Sequence, residues 1–275
     1  MVIDRIIIPM AHAYGEISDS AYQSTERAEH VNNYLKWLNR LEFTDWVPPA
    51  LAFTVRHRNR PDLMETFFAD LERLAYSMLI TRAGINDRIE RFSSMTKSIE
   101  NRDDLASDSS VLQLAASEQT ETYSVLAGPF YESLSARARS TVLLRLDALL
   151  SGGGATYDYS TVTVEHVLPQ NPDPESEWVS WFPDSTARAG RVHKLGNLAL
   201  LTRKKNSAAS NYEFGRKKET YFTVNGISPF VMTTQVLNYT HWTAEIVDAR
   251  QTELLTILED HWRLHNHRRI TQVTL

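Results

Sequence analysis

Three short segments in the second half of the chain carry side chains that could do chemistry together. They are Glu165–Gln170 (EHVLPQ), Leu195–Leu201 (LGNLALL) and Asn206, which lies nine residues beyond Asn197. An imidazole titrates close to neutral pH and can take a proton from water. A carboxylate and an amide oxygen suit a hard divalent cation that keeps most of its water. These residue types therefore predict phosphodiester hydrolysis, with a cation neutralising charge at the phosphate.

The surrounding elements must bring these segments together. Ser160–Val167 alternates valines with polar residues and predicts a strand, as does the apolar run Val192–Thr202, whereas Asn206–Tyr221 predicts a helix. Adjacent strand residues point to opposite faces, so Glu165 and His166 can converge on one phosphate only if the strand ends or bends there. Strand, loop, strand and helix with these side chains is the arrangement of a ββα-metal (HNH-type) nuclease site.

The rest of the chain predicts helices. Apolar residues recur at helical spacing over 19–41, 63–80, 85–99, 111–116, 135–150 and 243–262, with Asp62 as a predicted N-cap. The glycines after Ser151 mark a break that separates a helical domain, residues 1–150, from the nuclease domain, residues 151–275. The predicted fold class is α+β, mainly α: a helical domain followed by a ββα-metal nuclease core flanked by helices.

Charge is distributed unevenly along the 275 residues. Residues 1–150 carry the whole net charge of −5 and residues 151–275 are neutral, which excludes a uniformly basic nucleic-acid binder. Residues 186–218 nevertheless hold nine bases and one acid, and predict a surface for a phosphate backbone. A solvated basic face is the alternative interpretation. The predicted DNA-binding residues are Arg188, Arg191, Lys194, Arg203, Lys204, Lys205, Lys217 and Lys218.

Some classes of protein are excluded by what the sequence lacks. The chain has no cysteine, which rules out disulfides, cysteine nucleophiles, iron–sulfur clusters and thiolate zinc sites. No apolar run is long enough for a targeting or membrane-spanning segment, so we expect a cytoplasmic protein without a membrane partner.

The three segments and the residues around them resemble a known family. The runs EHVLPQ and HKLGNLALL, then Asn206 and NYEFGRKK, are similar to the C-terminal nuclease domain of GmrSD-like type IV restriction enzymes, whose relatives include phage-defence proteins that sense phosphorothioate DNA. The similarity extends to the helical stretch around LLRL and to a closing helix, and covers most of the chain. The residues that carry the similarity in the closing helix are Trp242, Thr243, Ile246, Arg250, Leu254, Leu255 and Trp262.

The resemblance implies a role for each residue of the motif. His166 matches the general base, and Glu165 and Asn206 match the ligands of Mg²⁺ or Mn²⁺. Asn197 matches the second-strand asparagine that usually holds the loop in shape, and it counts with His166 and Asn206 as a catalytic position. The implied function is a DNA endonuclease effector, nicking modified phage DNA for antiviral defence. Family members usually carry an N-terminal nucleotide-hydrolysing sensor domain with a DGQQR-like motif, which is absent here, so we expect that sensor domain or partner outside this chain.

Several alternatives remain open from the sequence. The chain could be a DNA-binding or interaction module that is catalytically silent without its sensor, or a ribonuclease. His193 could face the same cleft or be a packed structural histidine, and the latter is favoured. Trp178, Trp181 and Phe182 could stack on bases, but filling the core is favoured. His261, His265 and His267 have weak metal-ligand spacing and are not assigned to a site.

Overall fold

A computed structural model describes residues 3–152, 157, 161–202, 211–223 and 228–265. This part of the chain is mainly helical and contains one two-stranded sheet, as an α+β protein of mainly α type should. Two compact units divide the chain: unit 1 is Met1–Thr122 with His265–Leu275, and unit 2 is Tyr123–Leu264. Across the described ranges, every helix is too short or too polar to cross a bilayer.

Unit 1 is built from helices around a buried central one. After a π-helical turn (Ile3–Ile7), the helices are α1 (Ile8–Asp19), α2 (Ala28–Leu38), α3 (Val47–His57), α4 (Pro61–Ile80), α5 (Ile85–Asn101) and the first part of α6 (Ala116–Ala127). Helix α4 packs against α2 and α3. Its predicted apolar stripe, Phe67, Leu71, Leu74 and Met78, is buried, which confirms that prediction. Pro61 starts the helix, and Asp62 lies in its first turn rather than at the N-cap.

Several helices of unit 1 differ from the sequence prediction. Helices α1 and α6 were not predicted, the helix predicted over 19–41 is limited to α2, and residues 111–115 form turns where a helix was expected. The turns are tied to the start of α6 by side chains of that helix. The Glu118 carboxylate accepts from the Ala115 backbone N–H at 2.7 Å, and the Gln119 amide donates to the Leu114 carbonyl at 2.9 Å. These bonds satisfy the backbone at the helix start, so the helix begins later than the apolar pattern indicates.

Unit 2 holds the remaining elements. They are α7 (Phe130–Ser133), α8 (Ala136–Leu150), β1 (Thr163–His166), α9 (Glu177–Trp181), α10 (Ser185–Val192), a 3₁₀ turn (Leu195–Asn197), β2 (Leu198–Leu201), α11 (Phe214–Arg216), a π-helical turn (Lys217–Tyr221), α12 (Val231–Leu237) and α13 (Ala244–His261). Helices α8 and α13 confirm the predictions for those stretches. The Ser135 hydroxyl caps α8 by accepting from the Ala138 backbone N–H at 3.1 Å. Helix α8 belongs to unit 2, although it lies within the predicted helical domain; the functional division at residue 150 stays a prediction.

The two strands pair antiparallel over a compact core. Glu165 lies opposite Ala199 and His166 opposite Leu198. Strand β2 begins later than predicted, because Val192 ends α10 and residues 195–197 form the 3₁₀ turn, and β1 spans Thr163–His166. Trp178 and Phe182, from the segment between the strands, are buried in the core, which confirms core filling over base stacking. Phe214, Trp242 and Val247 complete this side of the core.

Candidate active site

His166 is the last residue of β1 and lies among other polar and aromatic rings. Its Nε2 is 3.2 Å from Nδ1 of His193, and its Nδ1 is 3.2 Å from the amide nitrogen of Gln170. The ring of Tyr131 packs against the imidazole with centroids 4.2 Å apart. His166 is buried, whereas Gln170 is exposed. The structure therefore holds the predicted base in a fixed orientation, with its Nδ1 on the side of an exposed residue.

His193 lies between His166 and a carboxylate. It caps the C-terminus of α10, and its Nε2 is 3.2 Å from the Oε1 atom of Glu132. Its backbone carbonyl accepts a hydrogen bond of 2.9 Å from the Tyr131 N–H, which joins α10 to α7. The favoured interpretation from sequence was a packed structural histidine. The structure places His193 in direct contact with the predicted base.

Glu165 has a different set of partners. Its Oε1 lies 3.7 Å from Nζ of Lys217, and its Oε2 accepts a hydrogen bond of 3.4 Å from the Tyr221 hydroxyl. Since consecutive strand residues project to opposite faces, this separation from the partners of His166 follows from the regular end of β1. Strand β1 ends at His166, as the sequence made plausible, and the Glu165 carboxylate lies toward Lys217 and Tyr221 whereas the His166 imidazole lies toward His193 and Gln170.

Lys217 is fully buried, which corrects its prediction as a DNA-binding residue. Its ammonium donates to the carbonyl oxygens of His166 at 2.8 Å and Val167 at 3.0 Å, besides its ion pair with Glu165. A buried ammonium is tolerated only with such partners. No signal in the sequence predicted this role, because a lysine in a basic stretch is expected at the surface. Lys217 instead holds the backbone at the end of β1, where His166 lies.

Asn197 holds the loop after β1 through both the oxygen and the nitrogen of its side-chain amide. Its oxygen accepts from the Leu168 backbone N–H at 2.8 Å and from the Trp242 indole N–H at 3.1 Å. Its amide donates to the carbonyls of Leu168 at 3.1 Å and Val192 at 2.8 Å. The residue is completely buried. This geometry favours the loop-holding alternative over direct contact with a substrate.

Gly196 and helix α13 anchor the same loop. A Cβ at Gly196 would lie 2.4 Å from the Val247 carbonyl oxygen, so only glycine allows this close approach. The Gly196 N–H donates to the Gln251 side chain at 2.7 Å, and Arg250 donates to the carbonyls of Gly196 at 2.7 Å and Leu198 at 3.0 Å. Complete burial lowers the pKa of Arg250 to about 10. The sequence indicated Arg250 through the family resemblance alone, and it did not indicate Gln251.

The predicted basic surface is only partly described, and Arg188, Arg191 and Lys218 already have protein contacts. Arg191 makes a two-bond ion pair with Asp248, at 3.0 and 2.6 Å, and Arg188 donates to the Phe182 carbonyl at 3.0 Å. Lys218 donates to the Tyr239 carbonyl at 2.5 Å, and Lys194 is half-buried. Arg203, Lys204, Lys205 and Asn206 lie outside the described residues.

A metal ion at this site has limited support from the residues described. Among residues 3–152, 157, 161–202, 211–223 and 228–265, no three His, Asp or Glu side chains come together as a metal-binding cluster. Of the predicted ligands Glu165 and Asn206, only Glu165 is described. Its carboxylate suits a hard divalent cation by donor type, and Mg²⁺ needs only one or two such ligands. The ammonium of Lys217 at 3.7 Å already supplies positive charge to this carboxylate.

A comparison with protein families assigns the segment that contains this site. Residues 125–257 match the model of the C-terminal domain of GmrSD restriction endonucleases. This GmrSD-like segment begins close to the start of unit 2 and contains His166, His193, Asn197 and Lys217. The match supports a nuclease, the coarser part of the predicted function. No curated protein and no solved structure matches the chain.

Proposed function

We propose that the chain is a metal-dependent DNA endonuclease of the restriction type, with His166 as its general base. The position of His166 carries the proposal. Within the GmrSD-like segment, this imidazole ends β1 and is held there by Lys217 and by the loop that Asn197 ties down. Its Nδ1 lies toward the exposed Gln170, the side from which a substrate can approach.

The chemistry assigned to His166 is proton removal from water. In hydrolysis, one proton passes from water to the imidazole while the water oxygen forms a bond to phosphorus. The bond between phosphorus and the leaving oxygen breaks, and that oxygen takes a proton from solvent. A single site of this kind cuts one strand at a time, so the expected product from a monomer is a nick.

Metal dependence is a separate part of the proposal. Glu165 and Asn206 would hold Mg²⁺ or Mn²⁺, which neutralises charge on the phosphate as the leaving oxygen departs. The oxygen donor of Glu165 supports this choice. Lys217, at 3.7 Å, balances the buried Glu165 carboxylate when no cation is bound.

The DNA backbone is proposed to lie along the remaining basic residues of the stretch. Arg188, Lys194 and Lys218 are half-buried contributors, and Arg203, Lys204 and Lys205 add three more positive charges. Arg191 contributes less, because Asp248 already balances its charge. Modified phage DNA as the substrate and a separate sensor domain or partner belong to the same proposal and rest on the family.

Plasmid nicking tests this function. Supercoiled plasmid is incubated with wild type or His166→Ala in Mg²⁺ or Mn²⁺, with EDTA as the metal control and His241→Ala, an exposed histidine of unit 2, as the matched control. We expect metal-dependent nicking by wild type and by the control, and loss of nicking in His166→Ala. DNA binding without cleavage by wild type would favour the silent DNA-binding module, and cleavage of RNA alone would favour a ribonuclease.

A further inference from the structure

We infer that Glu132 and His193 are positioning residues that fix the tautomer of His166, leaving the base's lone pair on Nδ1. The three side chains form a continuous line of contacts. Glu132 Oε1 is 3.2 Å from His193 Nε2, and His193 Nδ1 is 3.2 Å from His166 Nε2. The link to catalysis rests on the proposed function, whereas the tautomer itself does not.

The direction of each hydrogen bond follows from the group at either end of this line. The Glu132 carboxylate can only accept, so a neutral His193 carries its proton on Nε2 and accepts at Nδ1. His166 Nε2 must therefore donate to His193, which leaves the lone pair of a neutral His166 on Nδ1. The amide nitrogen of the exposed Gln170, 3.2 Å from His166 Nδ1, donates to that lone pair and agrees with this assignment. Every nitrogen in the line thus has a partner of the right type.

This tautomer gives the reaction a defined geometry. The basic lone pair of His166 sits on Nδ1, where the attacking water must take the place of the exposed Gln170 amide, and the opposite nitrogen is held by His193. When Nδ1 takes a proton from water, the resulting positive charge on His166 is stabilised by its hydrogen bond to His193 and, through His193, by the Glu132 carboxylate. A base oriented by a second group, which a third group orients in turn, is the general arrangement of an activated catalytic site. Substituting such an outer partner typically costs about 10- to 100-fold in activity.

Aromatic packing of the two histidines would not by itself fix the tautomer of His166. The ring of Tyr131 contacts both imidazoles, with centroids 4.2 Å from His166 and 5.8 Å from His193. Ring packing alone is indifferent to which nitrogen carries the proton. A phenylalanine at position 193 would keep the aromatic packing and remove the acceptor for His166 Nε2. An asparagine would place its side-chain oxygen near the former Nδ1 and restore that acceptor.

The first experiment reads the tautomer directly. Long-range ¹H–¹⁵N spectra of the labelled full chain show which ring nitrogen of each histidine is protonated, and the His166 signals are those missing in His166→Ala. We expect the proton on Nε2 of His166 in wild type, a mixture of both tautomers in His193→Phe, and the wild-type form again in His193→Asn. A proton on Nδ1 in wild type, or an unchanged tautomer in His193→Phe, would overturn the inference.

The second experiment measures cleavage with the same variants. His193→Phe should lower the turnover rate by about 10- to 100-fold without weakening DNA binding, and His193→Asn should recover most of the loss. Glu132→Gln should give a smaller loss, because the Glu132 side chain is 62% exposed; Glu175→Gln, another exposed carboxylate of unit 2, is its control.

The two experiments keep the two proposals apart. If wild type never cleaves while the spectra are as expected, the nuclease assignment fails, and the assignment of Glu132 and His193 as residues that fix the tautomer stands. If wild type cleaves and His193→Phe cleaves equally fast, the positioning role fails and the nuclease assignment stands.

Discussion

Replacing Asn197 with alanine should destabilise unit 2 by about 4 kcal/mol. The side chain makes four hydrogen bonds, two to Leu168, one to Val192 and one to Trp242, and all of them are buried. A buried hydrogen bond contributes about 1 kcal/mol net, and alanine leaves all four partner groups unpaired. Domains are stable by about 5–15 kcal/mol, so the variant should still fold in native buffer. At a typical denaturant slope of about 2 kcal/mol per molar, the urea midpoint of unit 2 should fall by about 2 M.

Urea denaturation and hydrogen exchange together test this value. The Leu168 amide should exchange faster in Asn197→Ala, because its acceptor is the Asn197 side-chain oxygen. Asn238→Ala is the matched control, since Asn238 is exposed at the end of α12 and should leave both measurements within about 0.5 kcal/mol of wild type. A variant as stable as wild type but unable to cleave would refute the loop-holding role and indicate direct contact with the substrate.

Two further perturbations test the support of the site. Gly196→Ala should lower the free energy of unfolding by about 1–3 kcal/mol, because the new Cβ would overlap the Val247 carbonyl oxygen. Gly190→Ala, with open space around it in α10, should raise the free energy of unfolding by about 0.5–1 kcal/mol. Equal effects of the two substitutions in urea denaturation would contradict this. Burial raises the pKa of Asp147 above its usual 3.8, although its bond to Tyr157 partly offsets the shift. The folded chain therefore holds a proton that the unfolded chain releases, so the free energy of unfolding should fall as pH rises from about 4 through the raised pKa. Asp147→Asn should remove this part of the pH dependence, and an unchanged difference between variant and wild type across the window would contradict it.

Local signals in the sequence predicted much of the fold. The apolar spacing of α4, α8 and α13 is a property of nearby residues, and the structure confirms these three helices, although α4 begins at Pro61 and is not capped by Asp62. Helix α1 was missed, because its apolar residues do not gather on one side and many remain exposed. A short helix was predicted over 111–116 in place of α6, because the side-chain bonds of Glu118 and Gln119 to the preceding turn decide where α6 begins.

The candidate site depends on contacts between residues far apart in the sequence, and these were only partly predictable. The motif predicted the positions of His166 and Asn197, because both belong to short segments with recognisable spacing. The burial of Lys217 was not predictable, since it depends on carbonyl groups at the end of β1, about 50 residues away. The contact of Glu132 with His193 likewise joins α7 to the end of α10, and Glu132 lies outside the runs EHVLPQ and HKLGNLALL.

The central claim is that His166 is the base of a nuclease, and one comparison tests it most directly. Nicking of supercoiled plasmid by wild type and by His166→Ala is measured at equal protein concentration, with and without Mg²⁺, after both proteins are shown by circular dichroism to be folded. General-base catalysis contributes about 10²- to 10⁴-fold, so the account predicts metal-dependent nicking that falls by at least about 100-fold in the variant. Equal nicking by a folded His166→Ala would contradict it.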